Sequence, residues 1–494
     1  MKELPIKELL SGCNVLEIEA ESDISKTLAT PMPTCHSSGE KALLFISDKL
    51  TDDVNKTDLS ELKNNVPIAV VVSEGRKIIN CACPIIRVEN VRYALAMAVS
   101  RSWDIDYTKI KFIGVTGTNG KTTTATLIYK ILSGCGYKVG FIGTGKIISC
   151  GNLLTDVNYS MTTPDPTLLY PSIKRMQDDG CEYVVMEVSS HSIALEKIAP
   201  INFEYSIFTN LDNDHLDFHH SKEDYFLTKL KLFAKSKTGL FNLDDEYGKR
   251  AVSLAECQKK TFGILERGDA FATDITIDSL TKSSFFYQEK DLIFKAETKL
   301  CGSFNIYNVT AALKCVIDLG VKPCIAKSIL SEIDGVDGRL EVIKGRVTAV
   351  IDYAHTPMAF YNCLKIIKSN VNSKQSLILV FGCGGDRDKS KRPTFGSLAE
   401  IFADRIIITE DNSRGESFDS IADGIASGIK EKDFKIIKDR ETAIRYAFKI
   451  AKEGDVVAVI GKGHERYKIV GDEYLPFDER RIIKDAMSRI GGTV

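Results

Sequence analysis

The stretch that most constrains the fold lies at residues 111–124 and reads KFIGVTGTNGKTTT. An apolar, β-branched run leads into a glycine-rich turn, and apolar residues then recur at helical spacing. The pattern predicts a strand, a tight turn and a helix. Backbone N–H groups and the positive end of the helix dipole converge at such a turn, which suits the phosphates of a nucleotide.

Four residues of this turn favour phosphate binding over a strand-to-helix turn that contains Gly-Lys by chance. Gly117 and Gly120 allow close backbone approach, Lys121 supplies a charge for terminal phosphates, and the hydroxyl of Thr122 can bind Mg²⁺. The strict P-loop formula requires a glycine where this chain has Val115. The sequence therefore predicts a phosphate-binding loop that departs from the formula at one position.

Length and composition predict a soluble protein of several domains. The 494 residues exceed what one hydrophobic core usually supports, and about three domains are expected. The net charge of −2 and the lack of a long basic run argue against a nucleic-acid or membrane-surface partner. No apolar run is long enough for a signal peptide or a transmembrane helix, so we expect a cytoplasmic location. The thirteen scattered cysteines are expected to be reduced thiols.

Three α/β units are predicted from the order of apolar runs and helical segments. Residues 1–104 form a small unit in which no catalytic cluster is evident. Residues 105–335 alternate apolar strands with helices, among them helices predicted over 121–134 and 223–235. This alternation predicts a parallel sheet covered on both faces. Residues 336–494 form a third, Rossmann-like unit. Ligands of such sheets bind beyond the carboxyl ends of the strands.

Acids and histidines follow two predicted strands of the central unit. Glu187 ends one strand, and His215 lies in the polar run after the next. An acid after a strand is often only a helix cap, and a single histidine is often structural. We nevertheless favour a functional role for both, because five of the seven histidines stand in such strand-end segments. Lys229 lies between Leu227 and Leu230 on a predicted helix, and periodicity alone favours a solvated lysine.

Four polar tracts, three of which contain glycine, follow four predicted strands of the third unit. They occupy residues 352–357, 382–388, 410–416 and 461–465. One such tract would be an ordinary loop, whereas four in succession indicate a binding face. Because the tracts mix arginine with aspartate and glutamate, we expect a zwitterionic ligand.

Taken together, the motifs resemble the Mur ligase family, in particular its MurE-type tripeptide synthetases. They occur in family order between about residues 111 and 480, whereas the first hundred residues match only loosely. The motifs are GVTGTNGKTTT, MTTPDP, EVSSHS, TNLDNDHLDFH, KLKLF, GSFNIYN, DGRLE, DYAHTP, FGCGGDRDKSKRP and GKGHE.

The resemblance implies an ATP-dependent, Mg²⁺-requiring ligase of peptidoglycan precursor synthesis. A carboxylate of UDP-MurNAc-L-Ala-D-Glu would attack the γ-phosphate of ATP, and the amine of an incoming diamino acid would displace phosphate from the resulting acyl phosphate. Such phosphoryl transfer depends on positioning and charge neutralisation. The resemblance also implies small-molecule substrates only, and a monomer.

The resemblance assigns roles to individual positions of this sequence. For catalysis these are Lys121, Glu187, His215 and Lys229. For ATP they are Gly117, Thr118, Asn119, Gly120, Lys121, Thr122, Thr123, Asn305, Arg339, Asp352 and His355. For Mg²⁺ they are Thr122, Glu187, His215 and Lys229, the last as a carbamylated lysine, which reverses the interpretation from periodicity. For the UDP-substrate they are Thr162, Thr163, Ser190 and Lys197. For the amino acid they are Arg387, Asp411, Asn412, Arg414, Gly461 and Glu465.

The sequence favours meso-diaminopimelate over L-lysine as the added amino acid. Members that add diaminopimelate carry a DNPR motif whose arginine pairs with the distal carboxylate, a two-point contact that lysine cannot copy. This chain has Asp411-Asn412-Ser413-Arg414, which keeps the arginine and lacks the proline. Glu465 is the natural partner of the distal ammonium. L-Lysine and other diamino acids remain alternatives.

Two departures from the family pattern concern the UDP-substrate. Leu195 and Lys197 stand where glutamine and arginine are usual, and Cys35-His36-Ser37 replaces a DSR motif. A paralogue acting on another nucleotide-linked or peptide carboxylate is therefore an alternative. Two further alternatives are a folylpolyglutamate-like or cyanophycin-like ligase, against which the GCGGDRDK and GKGHE tracts argue, and a nucleotide-binding regulator without catalysis.

Overall fold

The structure is a computed structural model of the 494-residue chain. It describes residues 1–33, 41–46, 56–59, 66–154, 161–215, 218–471 and 473–490. The segment Cys35-His36-Ser37, which replaces the DSR motif, lies outside the described residues. No helix in these ranges is long and apolar enough to cross a membrane.

The first unit is built on a sheet with the order β1-β3-β4-β6-β8-β2. β3, β4, β6 and β8 run parallel, and β1 and β2 are antiparallel edge strands. The elements are β1 (Leu4–Pro5), α1 (Ile6–Leu9), β2 (Val15–Glu19), β3 (Leu28–Pro33), β4 (Ala42–Phe45), β5 (Lys56–Asp58), β6 (Ala69–Ser73), β7 (Lys77–Ile79), β8 (Ile85–Val88) and α2 (Val91–Ser102).

The central unit contains the longest sheet of the described residues, with the order β12-β11-β10-β13-β9-β14-β15-β16-β17-β18-β19. The elements are β9 (Lys111–Thr116), α3 (Lys121–Gly134), β10 (Val139–Gly143), β11 (Lys146–Ser149), β12 (Asn152–Leu153), α4 (Pro166–Asp178), β13 (Tyr183–Glu187), α5 (Ser190–Ala194), β14 (Phe203–Phe208), α6 (Lys222–Leu230), β15 (Ser236–Asn242), α7 (Glu246–Leu254), β16 (Gln258–Gly263), β17 (Ala270–Ser279), β18 (Lys282–Glu289), β19 (Leu292–Thr298), α8 (Ser303–Asp318) and α9 (Pro323–Glu332).

The third unit has a sheet with the order β20-β21-β25-β22-β23-β24, parallel except for β20. The elements are β20 (Glu341–Ile343), β21 (Thr348–Asp352), α10 (Pro357–Ser369), β22 (Leu377–Phe381), α11 (Arg392–Phe402), β23 (Arg405–Ile408), α12 (Phe418–Ala426), β24 (Phe434–Ile436), α13 (Arg440–Ile450), β25 (Val456–Ile460), β26 (Tyr467–Val470), β27 (Glu473–Pro476) and α14 (Glu479–Ile490). β26 and β27 form a separate hairpin.

The hydrophobic cores follow the two faces of each sheet. Successive residues of β9 point to opposite faces, so Phe112 joins one core and Ile113 the other. The first of these cores also contains Ile6 and Val91, and therefore joins the first unit to the central one. The third unit has a core of its own on each face of its sheet.

A polar strap of residues 334–341 leads from the central unit into the third. Asp337 pairs with Lys146 of β11 and, at 3.2 Å, with Arg480 of α14. Arg480 also donates from Nε to Glu341 at 2.7 Å. Lys130 of α3 donates to the carbonyl of Gly335 at 2.9 Å. The strap is thus held from both sides.

The predicted α/β fold is confirmed, with one extension that the sequence analysis did not include. The predicted helix 121–134 matches α3. The central sheet is parallel from β10 to β17, but β18 and β19 continue it as an antiparallel meander, and β11 and β12 extend its other edge. The predicted helix 223–235 was too long, since α6 ends at Leu230 and a 3₁₀ turn follows at Phe233–Lys235.

Candidate active site

The glycine-rich turn between β9 and α3 has the shape of a phosphate cradle. Gly117 and Gly120 have φ angles of +142° and +87°, in the region that favours glycine. A Cβ at Gly117 would clash with the hydroxyl of Thr209, and a Cβ at Gly120 with the side-chain oxygen of Asn308. Both glycines are therefore required by conformation and by close packing.

Lys121 closes this turn. Its Nζ donates to the carbonyls of Gly117 at 2.9 Å and Thr118 at 2.8 Å. Burial lowers the pKa of this ammonium, although Glu187 and Asp214 oppose that effect. The charge of Lys121 is thus held above the cradle, where a terminal phosphate can replace the carbonyls as its partner.

Thr122 and Glu187 form the oxygen-rich edge of the cradle. The Thr122 hydroxyl donates to Glu187 Oε2 at 2.8 Å, and the Thr144 N–H donates to Oε1 at 2.8 Å. Arg339 reaches over from the strap and donates to the Thr122 hydroxyl at 3.1 Å. A buried carboxylate beside a hydroxyl, next to an anion-binding loop, is a donor set that fits Mg²⁺.

The other two expected metal ligands are His215 and Lys229. His215 lines the cavity between the central and third units, and the Nζ of Lys229 donates to the Gly117 carbonyl at 3.0 Å. Among the described residues, no three His, Cys, Asp or Glu side chains form a group that could hold a metal ion. Of the four expected ligands, Thr122 and Glu187 contact each other directly.

Lys229 is buried, contrary to the interpretation from periodicity alone. Its side chain is only 1% exposed, and its Nζ lies 4.4 Å from the centre of the Tyr225 ring. Burial, with a further contribution from Lys121, lowers the pKa of the Lys229 amine well below its ordinary value. Burial therefore favours the neutral amine, which is the form that can react with carbon dioxide.

A cluster of Asp214 and two histidines joins the central and third units. His215 has a φ of +53°, and its Nε2 lies 3.4 Å from Asp214 Oδ2. His355 of the third unit lies 3.8 Å from the same oxygen. Burial opposes ionisation of Asp214, but the hydrogen bond from His355 and the charges of His215 and Lys391 lower its pKa. Burial also lowers the pKa of His215 to about 3.

These side chains surround a cavity of about 270 Å³ between the central and third units. Asp352 accepts hydrogen bonds from the N–H groups of Leu340 at 2.6 Å and Ala354 at 2.7 Å, and burial raises its pKa despite the charge of Arg339. Residues 118–123 of the turn line the cavity, as do the other predicted ATP-binding residues Asn305, Arg339, Asp352 and His355. Gly117 does not line the cavity, although its carbonyl accepts hydrogen bonds from Lys121 and Lys229.

A second cavity, of about 830 Å³, lies on the third unit beside the first. The two cavities share Asp214, His215, Tyr353, Ala354 and His355 in their walls. The second cavity brings together all six residues predicted to bind the amino acid: Arg387, Asp411, Asn412, Arg414, Gly461 and Glu465.

Arg414 is held by the backbone of the β26–β27 hairpin. Its N–H donates to Ile469 at 3.2 Å, and its carbonyl accepts from Gly471 at 2.9 Å. Its φ is +51°, and its guanidinium donates to the Gly385 carbonyl at 2.9 Å. The hydroxyl of Ser413 donates to Glu410 at 3.3 Å. These bonds fix the loop in which the sequence has serine instead of proline.

Of the four residues predicted to bind the UDP-substrate, three are buried outside both cavities. Thr162 lines the first cavity. Thr163 is buried and donates to the Glu187 carbonyl at 2.9 Å, and Lys197 pairs with Asp165 at 2.6 Å. Ser190 is buried with no hydrogen-bond partner for its hydroxyl. Thr163, Ser190 and Lys197 line neither cavity, and their role stays a prediction.

Three functional candidates were missed by the sequence analysis. Asp214 lies in the TNLDNDHLDFH motif and had no predicted role, although it contacts His215 of the central unit and His355 of the third. Tyr353 lies in both cavity walls, with the Arg339 guanidinium 4.5 Å from its ring centre and its hydroxyl 3.4 Å from Glu465. Lys462 lies beneath the second cavity. All three stood in the strand-end tracts, and that position was their only signal.

Two protein-family matches cover most of the second and third units. Residues 115–316 match the Mur ligase middle domain, and residues 338–463 match the Mur ligase, glutamate ligase domain.

Relatives of similar length share between a third and two fifths of their residues with this chain. UDP-N-acetylmuramoyl-L-alanyl-D-glutamate–2,6-diaminopimelate ligase 1 of Clostridium acetobutylicum is 36% identical over 457 residues, covering 91% of this chain and 93% of that protein. The corresponding 2,6-diaminopimelate ligase of Clostridioides difficile is 35% identical, covering 99% and 100%. That of Aquifex aeolicus is 38% identical, covering 92% of each.

Solved structures have the same fold. A UDP-N-acetylmuramoyl-L-alanyl-D-glutamate–2,6-diaminopimelate ligase superposes with a TM-score of 0.66 at 25% identity, covering 99% of this chain and 100% of that chain. The MurF ligase of Thermotoga maritima, solved in complex with ADP, superposes with a TM-score of 0.58 at 20% identity, covering 81% and 86%.

Proposed function

The chain belongs to the Mur ligase family of ATP-dependent ligases, and we propose that it adds meso-diaminopimelate to UDP-MurNAc-L-Ala-D-Glu in peptidoglycan precursor synthesis. The observation that carries this proposal is the shared wall of the two cavities. A phosphate cradle opens on one side of Asp214, His215 and His355, and paired arginines and acids lie on the other. An acid activated in the first cavity can therefore meet an amine in the second.

Activation takes place in the first cavity. The turn N–H groups and Lys121 hold the terminal phosphates of ATP, and Arg339 lies close enough to add a second positive charge. The γ-phosphoryl group passes from ATP to the substrate carboxylate, which yields an acyl phosphate and ADP. Thr122 and Glu187 would hold Mg²⁺, with His215 and carbamylated Lys229 as further ligands. Mg²⁺ would neutralise charge on the transferring phosphoryl group.

Amide formation follows from the second cavity. The amine attacks the acyl carbon, a tetrahedral intermediate forms, and phosphate leaves as the amide bond closes. One proton leaves the nitrogen in this step. His355 lies in the walls of both cavities and can receive it. Charged groups held in a water-poor cleft stabilise such a transition state more strongly than they would in water.

The preference for diaminopimelate rests on the charges of the second cavity. Arg414 and Arg387 can bind a carboxylate at one end, and Asp411 and Glu465 can bind an ammonium at the other. L-Lysine has no distal carboxylate and would leave Arg414 without a ligand, which is unfavourable for a partly buried charge. The relatives named as diaminopimelate ligases support the same choice.

The test uses the full-length protein with ATP, Mg²⁺ and UDP-MurNAc-L-Ala-D-Glu. Hydroxylamine should trap the acyl phosphate as a hydroxamate in the absence of amino acid. Release of ADP should then be measured with meso-diaminopimelate, L-lysine and L-ornithine. The proposal expects the highest kcat/KM with diaminopimelate. Preference for L-lysine would overturn the assigned amino acid, and no hydroxamate with this or any other carboxylate substrate would overturn the ligase.

A further inference from the structure

We propose that Lys462 is a positioning residue that fixes the acidic half of the amino-acid cavity and leaves one oxygen of Glu465 free for the substrate ammonium. The inference rests on the proposed function and deepens it. Lys462 lies in the GKGHE tract directly after β25, and its side chain is fully buried beneath the cavity. It lines neither cavity and therefore acts through its neighbours.

The ammonium of Lys462 contacts three residues of the cavity wall. Its Nζ donates to Asn412 Oδ1 at 2.9 Å and to Glu465 Oε2 at 3.0 Å, and it lies 3.6 Å from Asp411 Oδ1. Two of these residues, Asp411 and Glu465, are the ones expected to bind the substrate's cationic end. An ammonium has three donor hydrogens and no acceptor. Two of them are used in these hydrogen bonds, and Asp411 lies within ion-pair range.

The bond from Lys462 also determines the orientation of the Asn412 amide. Asn412 Oδ1 accepts from Lys462 and from the Ile469 N–H at 3.0 Å. Because both partners are donors, the oxygen must face them and the amide nitrogen must face the other way. That nitrogen donates to Glu465 Oε2 at 2.8 Å. The positions of Lys462, Asn412 and Glu465 therefore depend on one another.

The result is a carboxylate with one satisfied and one available oxygen. Glu465 Oε2 receives bonds from both Lys462 and Asn412. From the residues that the structure describes, Oε1 receives only a long contact, 3.4 Å, from the Tyr353 hydroxyl. Oε1 thus retains acceptor capacity toward the cavity. An ammonium of the substrate can bind there without displacing a protein bond.

The charge of Lys462 is as important as its hydrogen bonds. Asp411 and Glu465 are two carboxylates in one small wall, and two uncompensated anions in a partly buried site repel each other. The single positive charge of Lys462 lies between them. Arg440, another buried cation nearby, donates to Glu479 at 2.6 Å and to two carbonyls, and its charge reaches Asp411 and Glu465 only through space. Lys462 forms ion pairs with both carboxylates, and it thereby offsets their repulsion and leaves the wall able to hold one further cation.

The test separates activation from amine capture in the full-length enzyme. Lys462→Met removes the charge and the bonds, Lys462→Gln keeps a donor without the charge, and Lys462→Arg keeps the charge. We expect the KM for diaminopimelate to rise about 10²-fold in Lys462→Met. The rise should be smaller in Lys462→Gln and smallest in Lys462→Arg. The KM for ATP and the rate of hydroxamate formation without amino acid should change less than about twofold, because the first cavity is untouched. Lys374→Met, at an exposed loop lysine, is the matched control.

A KM for diaminopimelate that stays within twofold of wild type in all three variants would overturn the proposal. Loss of hydroxamate formation in parallel with peptide formation, in a variant that still binds ADP, would also overturn it, because Lys462 would then act on the whole fold. If Lys462→Met does not fold, the Gln and Arg variants carry the test. A wild-type enzyme that forms no hydroxamate would refute the proposed function itself, which is a separate result.

Discussion

The two cavities are built in opposite ways. The first takes its phosphate-binding residues from one continuous stretch, the turn between β9 and α3, and much of its chemistry comes from backbone N–H groups. The second takes its residues from separate tracts after β22, β23 and β25, and its chemistry comes from side chains. A backbone cradle is set by local conformation, whereas a side-chain wall needs a buried network beneath it.

That difference has consequences for substitution. The first cavity depends on the glycine conformations and on the start of α3. A change there should therefore impair both acyl-phosphate formation and the amide formation that follows it. The second cavity can lose one contact and keep the fold, so its variants should separate the two half-reactions.

The largest effect is expected at Lys121. Lys121→Met removes the charge above the phosphate cradle, and kcat for both hydroxamate and peptide formation should fall by at least about 10³-fold, because phosphoryl transfer depends on that charge. Both rates are measured under saturating ATP. Lys109→Met, at an exposed lysine before β9, is the control. Loss of peptide formation alone would contradict the assignment of Lys121 to activation.

A nearly equal effect, on stability, is expected at Arg440. Its buried pair with Glu479 lies under the second cavity, and Arg440→Met leaves an unpaired buried carboxyl group, which should lower the free energy of unfolding by about 3–5 kcal/mol. Denaturant unfolding measures it. Arg346→Met breaks an exposed pair with Glu453 and should cost about 0–1 kcal/mol. If Arg440→Met and Arg346→Met lowered the free energy of unfolding by the same amount, the buried network would not support this cavity.

A smaller and more selective effect is expected at Arg414. Arg414→Ala should raise the KM for diaminopimelate about 10²-fold, because a charged hydrogen-bond partner of the distal carboxylate is lost. Hydroxamate formation should be unchanged. Arg414→Lys should restore little, since one ammonium cannot copy the two-point contact of a guanidinium. A parallel fall in ATP binding would mean that the residue does not act on the amino acid.

The most gradual effect concerns pH and His464, which lies in the GKGHE tract and packs against Gly338 of the strap. Burial, with the charges of Arg339 and Lys146, lowers the pKa of His464 to about 3, although the charge of Asp337 acts in the opposite direction. Below its ordinary pKa of 6.5, the unfolded chain takes up a proton that the folded chain does not. Stability should therefore fall as pH drops from about 6.5 toward 3, by at most about 1.4 kcal/mol per pH unit.

His464→Gln should flatten that part of the curve of unfolding free energy against pH. His220→Gln, at an exposed imidazole, serves as the control and should leave the slope unchanged. An unchanged slope in His464→Gln would show that this histidine does not remain neutral in the folded protein.

The sequence predicted the first cavity more completely than the second. The turn, α3 and Glu187 could be read from adjacent letters, because backbone geometry and strand ends are local properties. The six wall residues of the second cavity were found through resemblance. Lys462 and the Arg440–Glu479 pair were not, since nothing local distinguishes a buried lysine from a solvated one.

The remaining misses have the same origin. Lys229 alternates with apolar residues on α6, and only the packing of Tyr225 and the Gly117 turn around it reveals its burial. The β18–β19 meander mixes buried and exposed residues within each strand. Its two strands follow each other without an intervening helix, unlike the strand–helix alternation that predicted the parallel part of the sheet.

The core that joins the first and central units bears on how this enzyme could be divided. Ile6 and Val91 are buried in the same cluster as Tyr170 and Phe208, so a cut near residue 104 would strip apolar surface from both fragments. A cut in the strap at residues 334–341 falls instead among ion pairs and exposed carbonyl contacts, and each fragment would keep its own sheet faces covered. Split there, the two pieces could be produced separately and made to depend on each other, with the phosphate cradle and the charged wall of the second cavity on different polypeptides.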